Sequence, residues 1–162
     1  MTNFYFNNDP AKLPEFSEGC HPVQIYHTHQ YDSTKHSLAS RALLETIRGL
    51  GVYVDADAID LVTIATAVTA AATFELRDKA SNAWSRQMHL HIPVTDENMW
   101  DFLAPELSSI LNFLTGDQWD FTFEKTTMVM PKPKRSNKAK AKARSLKGLN
   151  AVCLFSGGLD SA

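Results

Sequence analysis

At 162 residues, with 44% hydrophobic and 10% aromatic content, the chain has the composition of a globular domain and not of a disordered segment. Its two cysteines, Cys20 and Cys153, stand far apart and outside any CxxC pattern, which argues against a disulfide framework and against a cysteine-built zinc site in this stretch. The net charge of −2 conceals a division: residues 1–131 carry eight Lys/Arg against seventeen Asp/Glu, whereas residues 132–147 carry eight Lys/Arg and no acid.

The N-terminus, MTNFYFNNDPAK, lacks the basic start and apolar core of a secretory signal. No uninterrupted apolar run approaches the ~18 residues that span a bilayer, so the chain reads as soluble and cytoplasmic, with no membrane partner. Residues 1–21 are polar and aromatic by turns and broken by Pro10, Pro14 and Gly19; they read as a surface arm. Val23–His29 has β character. From Ser33 or Thr34, the spacing of Ala39, Leu43, Ile47 and Leu50 predicts a helix that Gly49 and Gly51 stop. Asp55 or Asp57 caps a second helix, from Ala58 to about Glu75, which is apolar nearly all round. Such a helix is expected to be the buried centre of the domain.

Residues 86–94 form the clearest strand, with Met88, Leu90, Ile92 and Val94 alternating with Gln87, His89, His91 and Pro93. Thr95 and Asp96 cap a further helix through Trp100, Leu103, Leu107, Ile110, Leu111 and Leu114, which Pro105 should kink or divide. After a turn at Gly116, Trp119, Phe121 and Phe123 mark a strand that pairs naturally with 86–94. The expected fold is α+β: helices on a small antiparallel or mixed sheet. The division of the chain is 1–131 as an N-terminal recognition or assembly domain, 132–148 as a basic linker, and 149–162 as the start of a second, α/β domain. The linker's self-repelling charge should keep it extended or only loosely helical.

At the C-terminal end, the apolar run Ala151–Phe155 has the character of a buried strand and leads into Ser156-Gly157-Gly158-Leu159-Asp160-Ser161. Adjacent glycines let the backbone turn sharply and leave room for an anion at the amides. Asp160 or Ser161 can cap a helix whose first N–H groups favour phosphate. No Lys follows the glycines and GxGxxG is lacking, so neither a Walker A loop nor a dinucleotide fingerprint is present.

What SGGLDS resembles is the PP-loop of the ATP pyrophosphatases, the family of asparagine synthetase, GMP synthetase and 7-cyano-7-deazaguanine synthase (QueC). The segments DLVTIATAVTAAATFELRD, WSRQMHLHIPV, ENMWDFL and LNFLTGDQWDFTF, with the basic stretch and VCLFSGGLDSA, resemble the extended QueC-like proteins of bacterial anti-phage defence operons. The resemblance covers roughly residues 55–162. It implies a ligase or synthase that adenylates a carboxylate or amide with ATP and magnesium, releases pyrophosphate, and works beside other proteins of its operon. It assigns Ser156, Gly157, Gly158, Asp160 and Ser161 to binding the pyrophosphate part of ATP. The elements that hold adenine and substrate, and the zinc-binding cysteines of QueC, would lie beyond Ala162. The chain therefore reads as the front part of a longer enzyme, with no complete catalytic set and inactive alone.

Two other features were candidates. His27/His29 and His89/His91 stand at i, i+2, so each pair falls on one face of a strand, and two adjacent strands would offer four imidazoles to a metal. No Asp, Glu or Cys stands at matching spacing, which favours a polar outer sheet face and no metal. The basic stretch suits non-specific contact with nucleic-acid phosphates, yet no aromatics interleave its lysines as stacking platforms, and a solvated linker is the simpler reading.

Overall fold

The computed structural model describes residues 1–26, 31–80, 84–126, 128–129 and 131–149. Five strands, β1 (Thr2–Asn7), β2 (Cys20–Ile25), β3 (Ser37–Ala39), β4 (Gln87–Val94) and β5 (Gln118–Lys125), form one sheet in the order β3-β2-β1-β4-β5. Every pairing is parallel. Helices and a sheet are present as expected, and β4 does pair with β5, but the antiparallel or mixed sheet is corrected to an all-parallel one. The reason is the connection. The helix α3 (Glu97–Thr115) is 19 residues long, about 28 Å, enough to carry the chain back across the sheet before β5 begins.

The N-terminal arm is also corrected. Thr2–Asn7 is the central strand, with Phe4 and Phe6 buried and β2 and β4 on either side. The helix read from Ser33 to Leu50 is reduced to α1 (Leu43–Arg48), and its first half supplies the edge strand β3. Helix α2 (Ala56–Phe74) lies where it was predicted, and α3 runs unbroken through Pro105. Asp96 caps α3 by accepting from Met99 N at 3.1 Å, and Gly116, at φ 72°, ends it.

Parallel crossovers are right-handed. The β1–β2 and β2–β3 connections step one way along the sheet, and β3–β4 and β4–β5 step the other. Of the connecting helices, α2 packs against β4 and α3 against β5, on one face of the sheet. The core fills the helical side: Phe4, Phe6, Val23, Ile25, Met88, Leu90, Ile92, Val94, Trp119 and Phe123 meet Ile64, Ala67 and Ala71 of α2 and Trp100 of α3. Helix α2 is long and apolar enough, by length and composition, to cross a membrane, but here it rests on the sheet through Ile64, Ala67 and Ala71. Its expected complete burial is not seen. Leu61, Ala65, Thr69 and Thr73 are exposed along its outer side.

Candidate functional site

Ser156, Gly157, Gly158, Asp160 and Ser161, which the resemblance assigns to pyrophosphate, lie outside the described residues, as do His27 and His29. The basic stretch before the glycines is described, and of the two expectations, extended or loosely helical, the helical one holds for residues 137–146. Residues Asn137–Leu146 form a helix, α4, whose N-cap Ser136 accepts from Ala139 N at 3.2 Å. Alternating Lys and Ala, both good helix formers, outweigh the charge repulsion once one side finds a surface. That side is Ala139, Ala143 and Leu146, at i, i+4 and i+7, with Ala139 buried.

The surface is α1 and the turn after it. Gly51, at φ +76°, lies so close beneath Ala139 that a Cβ there would come within 2.3 Å of the Ala139 carbonyl oxygen. Lys134 N donates to Arg48 O at 2.8 Å, and Arg48 Nε donates back to Lys132 O at 3.2 Å. Lys134 also pairs with Glu45, which Arg48 contacts as well; these two cations hold the Glu45 carboxyl below its usual range. A cavity of about 430 Å³ remains between Val52 and the end of α4. Arg135, Lys138, Lys140, Lys142, Arg144 and Lys147 stay exposed, a cationic surface that ends at the threshold of the glycine motif.

His89 and His91 do share a face, on the side of the sheet away from α2 and α3. Their rings stack at 4.4 Å, and Tyr5 stacks on His91 at 4.2 Å with 7° between planes. His89 Nε2 is 2.7 Å from Thr122 Oγ1. Burial, with the neighbouring His89, lowers the His91 pKa, so the stack favours neutral imidazole. Strand β1 stands between β2 and β4, so β4 has no β2 neighbour in the sheet. Among the described residues no three His, Cys, Asp or Glu gather as a metal site.

Open parallel sheets of this winding hold ligands beyond the C-terminal strand ends, where the winding reverses. Here that point lies between β1 and β4. The chain leaves β1 through Asn8-Asp9-Pro10 without a glycine, and the first two amides after β4, those of Thr95 and Asp96, are already taken. Buried Asp60 of α2 accepts from Thr95 N (2.9 Å), Thr95 Oγ1 (2.6 Å), Asp96 N (3.4 Å) and Trp100 Nε1 (3.1 Å). A carboxylate seated on these donors repels phosphate where a nucleotide fold would bind it.

A second buried carboxylate works at the other end of the strands. Asp117 accepts from Arg86 N at 3.0 Å and Arg77 Nη2 at 3.0 Å and pairs with the Arg86 guanidinium. Arg86 also donates to Ala72 O and Glu75 O at 2.8 and 2.7 Å, closing the C-terminal end of α2. Sequence reasoning placed Asp60 inside a helix and Asp117 in a turn, and assigned neither a partner. The available signal was a lone acid in an apolar helix, since such a charge must be paired or hydrogen-bonded.

A cavity of about 870 Å³ opens between the β1–β2 and β2–β3 connections, lined in part by Phe16, Tyr31, Asp32 and His36. Two of its polar groups are already engaged: Asp32 accepts from Thr34 N and Oγ1, and His36 meets Gln24 at 3.2 Å. Compared with protein families, curated proteins and solved structures, the chain matches none.

Proposed function

We propose that this chain is the N-terminal recognition and assembly part of a cytoplasmic, QueC-like, ATP-dependent ligase of anti-phage defence, of the kind represented by QatC. The observation that carries the reading is a contrast between two strand ends. After β4 the amides of Thr95 and Asp96 are closed by Asp60, whereas the sequence Ala151–Ser161 carries the apolar run, paired glycines and acid of a PP-loop. ATP and magnesium are then handled by Ser156, Gly157, Gly158, Asp160 and Ser161 within a following α/β domain, and the parallel-sheet body serves docking. Zinc, if the enzyme carries it as QueC does, belongs to that later domain.

The test is the coding sequence past codon 162. Further α/β units, in frame or in the adjacent gene, are expected. The protein so completed should exchange pyrophosphate into ATP when given its acid or amide substrate, and Asp160→Ala should abolish the exchange. A stop followed by unrelated sequence, or exchange indifferent to Asp160, overturns the reading. A second reading rests on the exposed cations of α4: non-specific contact with nucleic-acid phosphates, falling steeply with salt.

A further inference from the structure

The helical face of the sheet is left bare in a way its residues do not suit. On α3, Phe102 and Phe113 are 81% and 89% exposed, with Ile110 and Leu114 beside them. On the 3.6-residue period Phe102, Glu106, Ile110 and Phe113 share one flank, and Asp101, Pro105, Ser108 and Asn112 share the other. Gln118 N and Thr126 N donate inward to Arg86 O and Val94 O, so the N–H of Trp119 points to the outer edge of the sheet. Asn112 Oδ1 accepts from that N–H at 2.9 Å. The polar flank therefore wraps the β5 edge, and the apolar flank is turned over the helical layer towards α2.

Helix α2 completes this face. From Leu61 to Phe74 it carries no charged residue, although its outer row is exposed. A helix apolar on all sides is one that expects cover on all sides. On the side of α2 away from α3, a groove of about 440 Å³ runs past Ser40, Ala65, Thr66, Thr69 and Thr73. One face thus bears projecting aromatic rings on one side of α2 and a small-residue groove on the other.

We infer that this face is covered by a second copy of the chain. Rotation about a two-fold axis parallel to α2 lays α2 on its symmetry mate and carries the partner copy's α3 over the groove, so that rings meet the groove twice. Isologous contacts require such self-complementarity. The exposed apolar side chains amount to something on the order of 800 Å² per copy, one side of a standard interface. From Leu61 to Phe74 a basic or acidic partner would meet no matching charge on α2, whose outer row is charged only at Asp57 in the first turn, and Glu106 is the one charge on the apolar flank of α3 between Phe102 and Phe113.

Sedimentation velocity on the 162-residue chain at about 100 µM should show a dimer, and Phe102→Glu or Phe113→Glu should weaken association by roughly tenfold or more. Both positions are exposed, so thermal melts should stay close to the parent, and Asp120→Lys on β5 should leave association unchanged. With Cys20→Ser and Cys153→Ser in place, Thr69→Cys should form a disulfide-linked dimer on mild oxidation. A monomer at that concentration overturns the inference, whether or not the same phenylalanines then bind lipid vesicles or another protein. A dimer indifferent to both phenylalanine variants does so too.

Discussion

Asp117→Ala should destabilise the fold by about 3–5 kcal/mol, because it strands the buried Arg86 guanidinium without its counter-ion. For a domain of this size the melting temperature should fall by roughly 10 °C. The loss would not stay local, since the same arginine closes the end of α2 through Ala72 O and Glu75 O. Burial works to raise the Asp117 pKa, but the hydrogen bonds and charge of Arg86, with Arg77, prevail and lower it. A lowered carboxyl pKa contributes stability above the ordinary Asp range and loses it as pH falls through the folded value. Parent and Asp117→Ala melting curves should therefore converge towards low pH. Parallel curves, or a loss under about 1 kcal/mol, would show that the pair is not what joins α2 to the strand starts.

Gly51→Ala should release α4. The added Cβ meets Ala139 backbone at 2.3 Å, which no side-chain adjustment relieves, and φ +76° strains any residue with a Cβ by about 1–2 kcal/mol. Gly51→Asn separates these effects, because asparagine tolerates the left-handed conformation yet brings the same clash. Both variants should speed tryptic cleavage within residues 132–147 by roughly tenfold or more, since cleavage follows the population of the open form. The core, which lies under α2 and α3, should melt nearly as before. Unchanged cleavage in both variants would mean that the basic helix is not held through Gly51.

The sequence was most legible where one period ruled. The alternation in residues 87–94 and 118–125 and the helical spacing in α3 each come from an element with one buried side, so type and bounds could be read within a residue or two. Strand β1 was hidden by its length. Its two buried rings, Phe4 and Phe6, sit among asparagines ahead of Pro10, a pattern that a surface arm shares. Sheet direction was readable in principle, since a strand, a long helix and a strand make a parallel unit, but the amphipathic alternation of β4 suggested an antiparallel sheet with one wet face. That wet face exists: the Tyr5, His91 and His89 rings line the side that α2 and α3 leave uncovered.

Helix α4 was read as at most loosely helical because its stability is tertiary. Its own residues favour solvation, and the surface that fixes Ala139 comes from a glycine 88 positions earlier in the chain. The buried carboxylates were missed for a related reason, as the partners of Asp60 at Thr95 and Trp100 become neighbours only once the parallel crossover has formed.

Under the proposed reading nucleotide binding belongs to residues 156–161 and not to the parallel-sheet body, and calorimetric titration of the 162-residue chain with Mg-ATP, beside a chain ending at Leu149, tests that most directly. A loop without its following helix offers only a few amides and about 0.3–1 kcal/mol of dipole help. Both chains should bind too feebly to measure at micromolar nucleotide, and neither should hydrolyse ATP. Micromolar binding retained by the chain ending at Leu149 would place the nucleotide site in the body and contradict the assignment outright; micromolar binding by the longer chain alone, lost on Asp160→Ala, would show that the loop forms its cradle without a following domain.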